Sequence, residues 1–352
     1  MADEATWLTQ LLEEYSPSGN EANAVRAFGR IASNLGFAVE VDAAGNGIAR
    51  WGRGRPQIVY LGHIDTVPGR IPVRREGGRI WGRGACDAKG PLLAALLARP
   101  DLPADGELVV VASVGEETDS RGARALIPYL HPYAVIAGEP SGWDGVAIGY
   151  KGDLRLRATL RGDRHHLSSP ERPTTERAIA WAEAVKSLAP TASGGFHSLA
   201  AKVVAVRTGE DAGKESVEVV VDLRIPPGRT VASVVAALPP LTAPDSVETI
   251  AAIEPFESGR SDPVVRALVA GIRAQGGRPT LWRKGGTSDL NLVATAWNLG
   301  GAAYGPGDAH LDHTDDEALD LADLARSVEV LRAAFATLLE GPIPPGPAPD
   351  GG

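Results

Sequence analysis

His63 and Asp65 stand two residues apart, just past an apolar run (Ile58 to Leu61) that closes on Gly62. If the backbone is still extended there, both side chains point to the same side. An imidazole beside a carboxylate suits a metal site, because the carboxylate can hold one ring nitrogen while the other binds the ion. Taken alone, the pair is as readily a plain hydrogen bond. It gains weight because ligand-type residues recur where other apolar runs stop. Asp87 lies in GRGACDAKG, Glu116 and Glu117 end ELVVVASVG, Glu139 ends YAVIAG, and His313 lies in GPGDAHLDHTDDE, where His310 competes with it. Two imidazoles and three carboxylates are too many for one tetrahedral zinc, but they fit two cations sharing a carboxylate. One of the Glu116–Glu117 pair is then left over as a general base, and adjacency alone leaves open which one.

These residues can meet only if the runs carrying them are neighbouring strands whose carboxyl ends share one side, the crevice where open α/β sheets bind ligands. The pattern agrees. Helices are expected over 4–15 and through Val25, Phe28, Ile31 and Leu35, followed by strands alternating with helices up to about Gly149, the mark of a mainly parallel sheet. GRIPVRREGGRIWGRGACDAKG reads as irregular, and PLLAALLA as a buried helix. From 150 to 260 the texture changes to strict period-two alternation (GDLRLRATLRG, ESVEVVVDLRI) with two helices, which predicts an inserted α+β sandwich. The first texture returns over 261–340 with the loop KGGTSDLN, a strand-like AWNLGGAAYG and a last helix. The tail 341–352 is too rich in proline and glycine to form a core and is expected to be disordered. The sequence thus predicts an α/β protein: a catalytic domain over 1–149 and 261–340, and a smaller lid domain over 150–260.

The 352 residues are 43% hydrophobic and 22% charged, ordinary values for a soluble globular protein. One cysteine, Cys86, excludes an internal disulfide and fits a reducing cytosol. The acidic N-terminus is unlike a signal peptide, so a cytoplasmic enzyme is expected. A net charge of −9 argues against nucleic acid as the main partner. One stretch runs against that balance: Arg70, Arg74, Arg75, Arg79, Arg83 and Lys89 face only Glu76 ahead of Asp87. This is either a solvated face or a dock for an acidic partner.

GHIDTVP, GRGACDAKG, GEE, GEP and GPGD…HTDDE together resemble the zinc amidohydrolases of the M20 metallopeptidase family, in order and spacing, over all but the tail. The resemblance implies two Zn²⁺ ions (or Co²⁺) held by His63, Asp87, Glu117, Glu139 and His313, with Asp87 bridging. It makes Asp65 the carboxylate behind His63 and Glu116 the general base. It also implies a lid and dimerisation domain whose His166, in GDRHHLSSP, reaches the neighbouring subunit's site in a homodimer. The family's Asn is missing near 174–176, where this chain has Thr174, Thr175 and Glu176. Substrate carboxylate recognition would fall to Arg224, whose guanidinium fork matches a carboxylate, and to Gly285, Gly286, Thr287 and Ser288; pairing of Arg224 with a carboxylate of the lid itself is the alternative. Within the family, GACDAKGP and YGPGDAHLDHTDDE resemble the hydrolases that free lysine or ornithine from an acidic amino-group carrier protein in lysine and arginine biosynthesis. A deacetylase of acetylornithine or acetyl-lysine is the alternative in the same class, and a non-catalytic metal- or amino-acid-binding protein is the alternative outside it. An intact Glu116 speaks for turnover. A dinucleotide oxidoreductase lacks support, since no G-x-G-x-x-G opens a helix after the first strand.

Overall fold

A computed structural model of the chain describes residues 2–101, 106–166, 168–190, 194–211, 213–243 and 245–341. The expected disordered tail therefore lies, past Gly341, outside the described residues. The described residues separate into two compact units: those of 2–148, 258–282 and 288–341 form the first, and those of 149–257 with 283–287 the second.

The first unit opens with α1 (Ala2–Glu13), α2 (Ala22–Asn34), β1 (Ala38–Val41), β2 (Gly47–Gly52) and β3 (Gln57–His63). It continues through β4 (Arg74–Glu76), β5 (Arg79–Trp81), α3 (Lys89–Leu97), β6 (Glu107–Ser113), α4 (Arg121–Leu126), β7 (Ala134–Gly138) and β8 (Gly145–Tyr150). The second unit carries β9 (Gly152–Gly162), α5 (Thr174–Lys186), β10 (Ala200–Asp211), β11 (Lys214–Ile225), α6 (Val231–Val235), β12 (Ser246–Ile253) and β13 (Phe256–Glu257). The chain then returns through α7 (Pro263–Ala274), β14 (Thr280–Lys284), α8 (Asp289–Trp297), β15 (Ala302–Ala303), β16 (Ala318–Asp320) and α9 (Leu321–Leu339).

In the first unit the main sheet runs β1-β2-β6-β3-β7-β15. The pairs β6–β3, β3–β7 and β7–β15 are parallel, and the margins β1–β2, β2–β6 and β15–β8 antiparallel. Strands β3, β6 and β7 are buried almost throughout, which explains why their sequences are continuous apolar runs rather than alternating ones. Helix α3 is apolar all round because Leu92, Leu93 and Leu96 are fully buried in the same core as Tyr60 and Phe335. The rings of Tyr60 and Phe335 meet edge to face at 6.1 Å. Gly62 is required by this packing, since a Cβ there would lie 2.8 Å from Leu92.

The stretch read as irregular supplies β4 and β5 to a small antiparallel sheet, β16-β5-β4, whose third strand comes from near the end of the chain. Gly77 and Gly78, at φ 56° and 83°, make the turn between β4 and β5. AWNLGGAAYG differs from its strand-like reading too: its first residues end α8, and only Ala302–Ala303 are extended. In the second unit the antiparallel sheet runs β10-β11-β9-β12. Leu154, Leu156, Ala158 and Leu160 of β9 share a core with Val217, Val219, Val221 and Leu223 of β11 and with Ala178, Trp181 and Val185 of α5. No described helix is long and apolar enough to cross a membrane.

Candidate metal centre

Because β6, β3 and β7 lie side by side and parallel, their carboxyl ends open on one edge of the sheet. His63 is the last residue of β3, Glu116 and Glu117 follow β6, and Glu139 follows β7. Two loops complete the edge: Asp87 arrives just ahead of α3, and His313 comes from the segment before β16. His313 has φ 62°, a left-handed conformation rare for a residue other than glycine.

The side chains converge. Asp87 stands between the two imidazoles, with Oδ1 2.9 Å from His63 Nε2 and Oδ2 3.1 Å from His313 Nε2. His313 Nε2 is also 3.0 Å from Glu117 Oε1. His63, Asp87 and Glu139 have donor atoms within 4.8 Å of one another, as do Asp87, Glu117 and His313, and also His63, Glu116 and Glu117. Two of these groups share Asp87, and each of those two offers one imidazole and two carboxylates, a mixed N/O set suited to zinc-type cations. His310 takes no part: it is exposed and turns to Asp308 at 2.8 Å.

The electrostatics of the cluster suit cations as well. Burial pushes Glu116 well above the usual carboxylate range, and Glu139, Asp289 and Asp87 add repulsion that His63 only partly offsets. Burial would also raise Asp87, but His63 and His313 hold it well below the ordinary range. His63 would be lowered by burial, yet Asp87 and Asp65 outweigh this and hold it well above its ordinary value. Hydrogen bonds to Asp87 and Glu117 lift His313 to about 10. Four carboxylates (Asp87, Glu116, Glu117 and Glu139) thus crowd two imidazoles, and divalent cations would relieve the repulsion while displacing the imidazole protons.

A model of the Peptidase family M20/M25/M40 matches residues 59–337. The chain belongs to that family. It is a hydrolase of amide bonds. It is 39% identical to the putative [LysW]-lysine/[LysW]-ornithine hydrolase of Pyrococcus horikoshii, over 95% of this chain and 97% of that protein. It is 36% identical to the [LysW]-lysine hydrolase of Deinococcus radiodurans, over 93% and 94%. Among solved structures, aminopeptidase PepT of Bacillus cereus shares the fold at a TM-score of 0.76 and 21% identity, covering 96% of this chain and 97% of that one. A metallo-carboxypeptidase of Sulfolobus solfataricus does so at 0.72 and 16%, covering 96% and 99%.

Other expected site residues have duties of their own. Asp65 stands behind His63, with its backbone oxygen 2.9 Å and its carboxylate Oδ1 3.6 Å from Nδ1. That buried carboxylate also accepts the N–H groups of Glu116 (3.1 Å) and Glu117 (3.2 Å) and the Ser18 hydroxyl (2.7 Å), so it holds the turn bearing both glutamates. Ser288 is the N-cap of α8 in a reciprocal arrangement with Asn291 and is buried, which uses the hydroxyl expected to meet substrate. In the second unit, Arg224 makes a two-point pair with Asp222 at 2.9 and 3.2 Å, so its fork is already engaged. Gly286 and Thr287 belong to this unit as well, and so does His166, exposed and bonded to Ser168 at 2.8 Å. The basic patch also shrinks: Arg83 and Lys89 are buried, Arg79 lies 3.7 Å from Asp320, and Arg74 stacks on Trp81 at 4.5 Å.

Sequence reasoning missed the buried groups behind the site. Lys89 donates to the Glu14 carbonyl at 2.8 Å, and burial lowers it to about 7. Asp289 accepts from Ser113 at 3.0 Å, and burial lifts it to about 6. Glu317 is 1% exposed; its spacing from His313 favours that histidine over His310 in the resemblance, but nothing in HTDDE announces its burial. Ser16 and Ser18 sit in SPSGNE, which reads as nothing more than a helix break.

Proposed function

We propose that this chain hydrolyses the amide joining lysine or ornithine to an acidic carrier protein, as a dizinc enzyme of the cytoplasm. The observation that carries this is the convergence of His63, Asp87, Glu117, Glu139 and His313 with Glu116 left beside them. Relatives named as [LysW]-lysine and [LysW]-ornithine hydrolases along nearly the whole chain supply the substrate class. His63, Asp87 and Glu139 would hold one cation, and Asp87, Glu117 and His313 the other. Two Zn²⁺ ions, or Co²⁺ in their stead, would supply an acidified water and polarise the scissile carbonyl. Glu116 takes the proton of the attacking water and returns it to the leaving amine, the task its raised proton affinity suits. Asp65 keeps Glu116 and Glu117 in place through their backbone N–H groups. His166, supplied by a second copy in a homodimer, stabilises the oxyanion. Thr287 and the Gly286 backbone contact the amino acid, and Arg224 does so once its pairing with Asp222 is exchanged for the substrate carboxylate. The exposed Arg70, Arg74 and Arg75, with Arg79 beside them, dock the acidic carrier.

The test is a release assay on purified enzyme of known metal content, supplied with carrier-linked lysine, carrier-linked ornithine or acetylornithine. Release of lysine or ornithine from the carrier is expected. Turnover of acetylornithine alone would move the assignment to a deacetylase, and no release from any of them would leave a binding protein.

A further inference from the structure

Arg83 and Glu317 form a buried ion pair, at 4% and 1% side-chain exposure, with Nη1 3.0 Å from Oε2. Neither has a place in the chemistry above, and an isolated buried pair is weak evidence for anything, because desolvation offsets its attraction. What sets this one apart is what else its atoms hold. Glu317 accepts the backbone N–H groups of Gly84 (3.1 Å), Cys86 (2.9 Å) and Asp87 (3.1 Å). Arg83 donates to the carbonyl of Gly69 (2.9 Å) and to that of Thr314 (2.9 Å). Gly69 lies on the segment leaving His63 and Asp65, and Thr314 is the neighbour of His313. A single pair of side chains therefore ties together the segment after His63, the Asp87 loop and the His313 segment, although 63 and 313 lie 250 residues apart. Each carboxylate oxygen accepts two bonds, so a displaced Asp87 loop would leave some of these buried N–H groups without their acceptor.

We infer that Arg83 and Glu317 are positioning residues that set the affinity of the centre for its second cation, by fixing Asp87 and His313 relative to each other. The inference rests on the ligand assignment proposed above. It also predicts an asymmetry. Asp87 is held at its own N–H and His313 at the very next residue, so two of the three ligands in the Asp87–Glu117–His313 group are held closely by the pair; in the His63–Asp87–Glu139 group only Asp87 is, because Gly69 lies six residues beyond His63. Disturbing the pair should therefore weaken one cation far more than the other, whereas a residue that merely holds the fold together would weaken both alike.

The experiment titrates Zn²⁺ into metal-stripped full-length protein against a chromophoric chelator, for wild type, Glu317→Gln and Arg83→Lys, with circular dichroism as the control for folding. Glu317→Gln puts an amide N–H against backbone N–H donors, and Arg83→Lys keeps the charge but cannot reach three acceptors at once. The expected result is a second equivalent weakened about 10- to 100-fold, the range for loss of a group that orients a ligand, with the first changed only a few-fold. Folded variants that bind both equivalents like wild type, or lose both equally, would overturn the inference. If Glu317→Gln does not fold, Arg83→Lys decides, and failure of both to fold would assign the pair a purely structural role and overturn it too. A wild-type protein that never takes up two equivalents would instead contradict the dinuclear reading itself.

Discussion

Replacing Asp65 by Asn changes one atom in a fully buried carboxylate. Its Oδ1 accepts the N–H of Glu116, while Oδ2 accepts the N–H of Glu117 and the Ser18 hydroxyl. An amide keeps only one acceptor oxygen. Ser18 can rotate and accept from the new N–H₂, but a backbone N–H cannot, so whichever way the amide lies one N–H of the glutamate turn faces a donor. Leaving such a group without its partner costs about 1–3 kcal/mol, and at about 1.4 kcal/mol per tenfold that is roughly 5- to 150-fold. The turn carries both the proposed base and a proposed ligand, so the cost should appear in function as well as in stability. kcat/KM for release from the carrier conjugate is expected to fall about 10- to 100-fold, with weaker zinc binding and a lower unfolding midpoint. The measurements are steady-state release, zinc competition and urea unfolding on one preparation. A variant that loses stability yet keeps wild-type kcat/KM and zinc affinity would refute the claim that Asp65 acts through Glu116 and Glu117.

Glu116→Gln should keep both cations, by elemental analysis, while turnover drops about 10²- to 10⁴-fold, the usual contribution of a general base; loss of metal instead would make Glu116 the ligand and Glu117 the base. Zinc affinity of the stripped protein should rise with pH and level off toward about 10, because below that pH His313 holds a proton that the cation must displace; calorimetry in buffers of different ionisation heat would show the released proton, and a pH-independent affinity would contradict it. Reversing Arg74 and Arg75 to Glu should slow release from the carrier conjugate at low salt while leaving a small acetylated amino acid untouched; equal rates on the conjugate would end the docking idea.

The strand-end residues were legible because β3, β6 and β7 are buried on both faces and so appear as continuous apolar runs that stop abruptly at His63, Ser113 and Gly138. Less legible were features set by packing at a distance. Strands β4 and β5 have three residues each, too short for alternation to register, and only the Gly77–Gly78 pair between them signalled a turn. Asn298, in a left-handed conformation at the end of α8, cuts AWNLGGAAYG in two, and the Ser288–Asn291 cap was the signal that a helix begins there. Counting charges made Arg83 part of a surface patch, whereas its burial depends on Glu317, 234 residues away. The carboxylate of Asp65 could be assigned to His63 from spacing, but its bonds to the glutamate turn depend on β3 and β6 being neighbours, which the sequence near Asp65 does not encode.

The most direct measurement is anomalous diffraction at the zinc edge from crystals grown with Zn²⁺. Two peaks are expected, both at bonding distance from Asp87, one shared with His63 and Glu139 and the other with Glu117 and His313. A single peak, or peaks away from Asp87, would contradict the dinuclear centre.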